Sequence, residues 1–278
     1  MGCGRGYLTF SLHSFLMKKY GVNSGIKIES VGIDIRPKLV REINDTAQEL
    51  GQEFESLRFV EGAIERFVPQ TPMRSSLSSS TQVNNTMIGD KTHHKETNNQ
   101  NLDILIALHA CDTATDDSLW FGIQRNAKII VTAPCCHKET RRQLDPYVAQ
   151  LKHDHPLYDV LRHGIYRERI AESVTDSIRA LLLEMAGYTV QVFEFIGGEH
   201  TSKNVMITAV KRGTPSKTKL VKLRDRLTSL ASMHGIRKQK LGDWMGESML
   251  PMNEDVSITN EHSNYADLPP LPSSRRSG

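Results

Sequence analysis

Met1-Gly2-Cys3-Gly4-Arg5-Gly6-Tyr7-Leu8-Thr9-Phe10 opens the chain, with a glycine at every second position and then an amphipathic run. Glycines so placed let the backbone pass close to a ligand, because no Cβ intervenes. A helix that follows directs its unpaired N–H groups at the same ligand. Turns of this kind follow the first strand of a parallel α/β sheet and hold a nucleotide-like cofactor. No strand sequence stands before Gly2 here, so the chain reads as starting inside its own cofactor site.

Apolar periodicity then lays out alternating helices and strands. Leu8, Leu12, Phe15 and Leu16 share one helical face, with the helix ending near Tyr20-Gly21. A strand is expected at about 30–34, ending on Asp34. A helix started by Pro37 and buried through Val40, Ile43, Ala47 and Leu50 follows, then a strand at 57–60. The stretch from 69 to 101 is rich in Ser, Asn and Thr without periodicity and reads as a disordered insertion, its His93-His94 pair included. Order resumes with the near-continuous apolar run of residues 102–108, a strand covered on both faces. Further strands are expected at 128–133, 189–196 and 204–210, the last two forming an antiparallel hairpin. Helices are expected at 113–125 and 175–186. A basic amphipathic helix from Lys217 to Met233 belongs to a segment 212–246, read as docked on the domain. The tail, 247–278, is Pro/Ser-rich and reads as disordered. The body of the domain is thus 1–68 plus 102–211, an α/β fold with a parallel sheet between helices.

A formal charge of +3 over 278 residues does not by itself announce a nucleic-acid binder. No run of about 20 apolar residues suggests a membrane span, and the first residues do not read as a signal peptide. Of four cysteines, Cys135 and Cys136 are adjacent, which suits a reducing, cytoplasmic setting better than a disulfide framework.

Asp34, at the end of the strand after the glycine turn, can accept hydrogen bonds from both hydroxyls of an adenosine ribose. NAD and S-adenosylmethionine both use this layout. Gly-Cys-Gly-Arg-Gly lacks the Gly-x-Gly-x-x-Gly spacing of dinucleotide enzymes, and the terminal antiparallel hairpin fits the methyl donor's sheet. Two other strand ends carry His109-Ala110-Cys111-Asp112 and Pro134-Cys135-Cys136-His137-Lys138, with the 199–204 loop expected on the same rim. Three chemistries compete there, beside plain packing of Cys135 and Cys136. His109 or Asp112 can take a proton from a substrate nucleophile. A cysteine thiolate can attack a pyrimidine covalently. The cysteines and His109 or His137 can hold zinc, although Cys-Cys-His lacks the usual Cys-x-x-Cys spacing, and no metal is assigned. Lys138, Arg141, Arg142, Arg162, Arg167 and Arg169 offer either phosphate contacts or internally paired surface charge.

Four segments together resemble one class I methyltransferase family: the opening glycine turn, Ala-Leu-His-Ala-Cys-Asp-Thr-Ala-Thr-Asp (107–116), Ala-Pro-Cys-Cys-His-Lys (133–138) and His-Thr-Ser-Lys-Asn-Val-Met-Ile (200–207). This is the group that contains the methyltransferase half of glutathione S-transferase C-terminal domain-containing proteins. The resemblance implies a Rossmann-like sheet and S-adenosylmethionine held by Gly2, Gly4, Gly6 and Asp34, with adenine against the backbone of Ala63 and Ile64. It also implies a transfer site lined by His109, Asp112, Cys135, Cys136 and His137, and RNA as the substrate class. A catalytically inactive RNA- or protein-binding module is the alternative. Two departures stand out. Alanine occupies position 63, where many such enzymes carry an acid, and the family's apolar first strand is missing ahead of Gly2. The chain therefore reads as a truncated product, expected to aggregate or melt broadly.

Overall fold

The computed structural model describes residues 2–21, 24–63, 101–108, 110–151, 153, 155–201 and 203–250. The expected insertion, His109, Ile64 and the tail beyond Leu250 lie outside the described residues.

The chain begins with helix α1 (Tyr7–Leu16), extended by a π-helical turn over Met17–Gly21. Strand β1 (Ser30–Asp34), helix α2 (Pro37–Glu49) and strand β2 (Leu57–Glu61) follow. β1 and β2 pair in parallel from Ser30↔Leu57 to Asp34↔Glu61. After the insertion come β3 (Ile104–Ala107), α3 (Thr113–Gln124) and β4 (Ile129–Thr132). Three helices then run in succession, α4 (Lys138–Gln150), α5 (Tyr158–Leu161) and α6 (Gly164–Met185). β5 (Tyr188–Glu194) and β6 (Val205–Lys211) form the expected antiparallel hairpin, and α7 (Lys217–Met233) and α8 (Lys240–Met245) close the described chain.

The strands do not form one sheet. β1 and β2 stand as a parallel pair, and a second sheet runs β3-β4-β6-β5. β3 and β4 are parallel, and β6 lies antiparallel to β4. Among the described residues, β1 and β3 each keep an edge without a neighbouring strand. Cys3 reaches β1 on that side, its N–H donating to the carbonyl of Ile33 at 2.9 Å. The α/β class, with its parallel strand pairs and terminal antiparallel hairpin, is as expected.

Each sheet has its own core. Val40, Ile43 and Ala47 of α2 pack on Leu57 and Phe59, as their spacing predicts, whereas Leu50 falls past the helix end and is exposed. Asn44 bonds both backbone groups of Phe59, at 2.8 Å each, and so satisfies polar groups that β2 leaves open. α1 departs from its expected face. Leu8 and Phe15 are exposed, and the buried residue is His13. Its ring nitrogens lie 2.9 Å from Ser30 Oγ and 3.0 Å from the Glu53 carbonyl. An imidazole with both nitrogens partnered is tolerated inside, and Phe10 rather than Leu8 packs against Phe54 and Phe59.

The larger core joins Trp120, Ile130, Ile178, Leu182, Ile207 and Leu227, all shielded from solvent. Side chains of this size each contribute about 1.5–3 kcal/mol on full burial. α6 begins far ahead of the expected residue 175, because its polar-looking first half covers α4 and α5 through Ala171, Leu144, Val148 and Leu161. α7 buries Leu223, Leu227 and Ala231. Packing continues past residue 246: Met249 is buried, and Arg224 forks onto Glu247 at 2.7 and 2.8 Å.

Candidate cofactor and methyl-transfer site

Gly2, Gly4 and Gly6 all have left-handed backbones, with φ of 65°, 57° and 76°. At Gly6 a side chain is excluded twice over. The conformation disfavours a Cβ, and that atom would meet the Phe59 ring at 3.0 Å. Gly6 also caps α1 without any side-chain hydrogen bond to the first turn's N–H groups.

The turn and Asp34 meet directly. Gly4 N–H donates to Asp34 Oδ2 at 2.8 Å, joining residues far apart in sequence. Asp34 is buried and also bonds Arg36, at the start of α2. Arg36 donates its backbone N–H to Oδ1 at 3.1 Å, Nε to Oδ1 at 2.9 Å and Nη2 to Oδ2 at 3.1 Å. The Arg36 side chain holds the carboxyl down to about 2, against the opposing effect of burial. Both oxygens that a ribose diol needs are thus shared with a guanidinium whose side chain is 61% exposed. The only sequence signal was an arginine two residues after the acid. Gly62 N–H donates to the Asp34 carbonyl at 3.0 Å, so half-buried Ala63 follows β2 beside the same strand end.

The second half of the rim comes from the β3–β4 register. Ala107 sits opposite Thr132, and Ala133 N–H donates to the Ala107 carbonyl at 3.1 Å. The loops after both strands therefore leave from one end of the sheet. Cys111 Sγ lies 3.3 Å from Cys135 Sγ, and Cys135 Sγ lies 3.7 Å from Cys136 Sγ. Burial, then hydrogen bonding with Cys111 and Cys136, pushes the Cys135 thiol up to about 12. A thiol so placed is almost wholly protonated near neutral pH, which works against its acting unaided as a nucleophile.

Asp112 has φ 52° and precedes α3, while its Oδ1 accepts the Glu139 N–H at 3.0 Å, tying the loop after β3 to the start of α4. His137 is buried just before α4, its Nε2 3.1 Å from Asp176 Oδ1 and its Nδ1 without a partner among the described residues. It anchors the rim from beneath rather than facing solvent. Behind it lies a network that sequence reasoning missed. Arg179 donates Nε and Nη2 to Asp116 at 2.9 and 2.7 Å, Nη1 to Asp176 at 3.1 Å and Nη2 to the Asp112 carbonyl at 2.9 Å. Burial opposes the Arg179 charge, and the carboxylates of Asp116 and Asp176 more than restore it. The available signal was a charge inside the apolar face Ile178, Leu181, Leu182, where an unpaired arginine is not tolerated. Glu139, beside this network, is pushed up to about 7 by burial and by the Asp116 charge.

The 199–204 loop leaves β5 and enters β6 at the same end, since Thr132 pairs with Ile207. Lys203 reaches Glu172 of α6, and buried Asn204 donates to the Ile196 carbonyl at 2.8 Å. Several of the singled-out arginines are internally paired: Arg141 with Asp145 and Glu168, Arg167 with Asp145, Arg169 with Glu172, Arg162 with Asp159. Lys138 and Arg142 are exposed on α4 with no ion pair among the described residues. A cavity of about 770 Å³ lies between α6, α7 and the hairpin, with Asp176 in its wall and none of the glycine turn.

A glycine turn bonded to an acid at the next strand end, with polar loops on the carboxyl side of a second parallel pair, is the layout of an α/β fold, in which ligands bind beyond the carboxyl ends of the strands. A family described as "Methyltransferase domain" matches residues 1–143, just over half of the sequence, and the chain belongs to that family. Among solved structures it is similar to the methyltransferase domain of bacterial CtHen1-C, with 12% identity over 76% of this chain and 87% of that one, and a TM-score of 0.37. No curated protein matches it. Among the described residues, no helix is long and apolar enough to cross a membrane.

Proposed function

We propose that this protein transfers a methyl group from S-adenosylmethionine to RNA in the cytoplasm. Within its family it would stand with the methyltransferase half of the glutathione S-transferase C-terminal domain-containing proteins, on the motifs at 107–116 and 133–138. The observation that carries the reading is the 2.8 Å bond from Gly4 N–H to Asp34, which makes the glycine turn and the ribose acid one unit.

Gly2, Gly4 and Gly6 supply a backbone cradle without side chains, and Asp34 supplies two acceptor oxygens once Arg36 moves aside. Ala63 and Ile64 would lie against the adenine through their backbone. When bound, S-adenosylmethionine supplies an electrophilic methyl group on a sulfonium. His109 and Asp112 are the candidate proton acceptors. Asp112 keeps Oδ1 on Glu139 N–H, and its Oδ2, without a hydrogen-bond partner among the described residues, would take the proton. Cys135, Cys136 and His137 shape the wall, His137 from a buried position fixed by Asp176. Lys138 and Arg142, exposed and free of ion pairs among the described residues, favour a polyanionic substrate.

A second reading, a non-catalytic RNA- or protein-binding module, is favoured by one observation: Arg36 already fills the acceptor sites of Asp34. Methyl-labelling of total RNA and protein extracts separates the two. Label in RNA, lost on Asp34→Ala, supports the enzyme. RNA crosslinking without label supports the module, and label in protein alone refutes the substrate class.

A further inference from the structure

We infer that Cys111, Cys135 and Cys136 form a site for a thiophilic divalent cation, zinc above all, with its fourth coordination position open to solvent. In the sequence these cysteines lack zinc-finger spacing; folding supplies what spacing does not. Cys111 follows β3, and Cys135 and Cys136 follow β4. The parallel register of the two strands brings all three sulfurs within 4.8 Å of one another.

The distances suit the ion. Zinc bound to thiolates at about 2.3 Å in a tetrahedron needs sulfurs roughly 3.8 Å apart. The observed Cys111–Cys135 and Cys135–Cys136 separations are 3.3 and 3.7 Å, so small side-chain rotations complete the set. The loops are tied together without any ion: Ala133 N–H donates to the Ala107 carbonyl at 3.1 Å, and Glu139 N–H to Asp112 Oδ1 at 3.0 Å. Such a site is largely organised before the ion arrives, which lowers the entropy cost of binding. Exposed Cys111 provides the entrance, while Cys135 and Cys136 are half-buried. Three protein ligands and an open position are the arrangement of zinc sites that bind and polarise another molecule rather than merely brace a fold.

Binding would convert the coordinating thiols to thiolates, their protons passing to solvent, with no change of oxidation state. It would also block a Cys111–Cys135 disulfide. The site does not depend on the methyl-transfer reading, since the ion is held without the methyl donor.

The test uses the full chain, reduced and stripped of metal, titrated with Co²⁺ and then Zn²⁺. The expected result is one Co²⁺ per chain with a thiolate-to-cobalt charge-transfer band, abolished by Zn²⁺. Cys111→Ser, at an exposed position, should weaken Co²⁺ binding at least about tenfold, as should Cys135→Ser. Cys3→Ser, in the other sheet's core, should leave the band intact. Absence of the band, or a band equally strong in Cys111→Ser and Cys135→Ser, overturns the proposal. Calorimetry of S-adenosylmethionine with the metal-free protein is run in parallel, so failure of the metal site and failure of donor binding are read separately.

Discussion

Replacing Arg36 should tighten the methyl donor rather than loosen it. The carboxylate of Asp34 accepts from Gly4 N–H at 2.8 Å and from three Arg36 donors at 2.9 to 3.1 Å, so its lone pairs are committed before any ribose arrives. Two of those donors belong to a side chain that is 61% exposed. The guanidinium lies on the solvent side of a pair whose acid is buried, and releasing it changes an equilibrium by a factor of up to about five. Arg36→Ala should therefore raise affinity for S-adenosylmethionine about two- to fivefold, while the Arg36 backbone N–H and Gly4 keep Asp34 in place. Asp34→Ala should weaken it roughly ten- to hundredfold, because hydrogen bonds to a charged acceptor are lost. In the double variant the gain from Arg36→Ala should vanish, because its only route is through the acid. Isothermal titration calorimetry on the four proteins decides the matter. Weaker binding by Arg36→Ala would mean that the guanidinium touches the donor itself, and the competition argument would be wrong.

Glu139, held at about 7 in the folded state against an ordinary 4.5, binds more protons folded than unfolded between those values. Its contribution to stability is complete below about pH 4.5 and is lost as pH rises through 7. Glu139→Gln should gain about 1–2 kcal/mol at pH 8 relative to pH 5, after allowing for partial exposure; parallel melting curves of variant and parent at both pH values would contradict this. Arg179→Met takes the guanidinium away from buried Asp116 and Asp176, leaving them the contacts with Gln239 and His137, and should cost about 3–5 kcal/mol in chemical denaturation. An unchanged midpoint would show that the network is dispensable. Gly6→Ala combines a φ of 76° with a 3.0 Å approach to Phe59 and should lower stability by about 1–3 kcal/mol and suppress donor binding; calorimetric affinity equal to the parent would refute the cradle.

Much of this protein was legible without coordinates, for reasons local to the chain. Left-handed backbones at Gly2, Gly4 and Gly6 are what alternating glycines before a helix require. The strand positions and the helix Lys217–Met233 follow from periodicities that any short window displays. Asp34 could be paired with the glycine turn because strand order in α/β sheets leaves few alternatives. What could not be read locally was which side chains meet across the fold. His13 rather than Leu8 is inside because Ser30 and Glu53 satisfy both its nitrogens. Arg36 rather than solvent covers Asp34, and Arg179 gathers Asp116, Asp176 and the Asp112 carbonyl under the rim. Cys111 reaches Cys135 through the register of β3 on β4. The sequence by itself determined where the backbone must turn and which faces are apolar, since sterics and hydrophobic spacing act over a few residues. Only the tertiary structure decided the partners of each polar and sulfur atom, because a buried group takes whichever donor or acceptor the packing brings within reach.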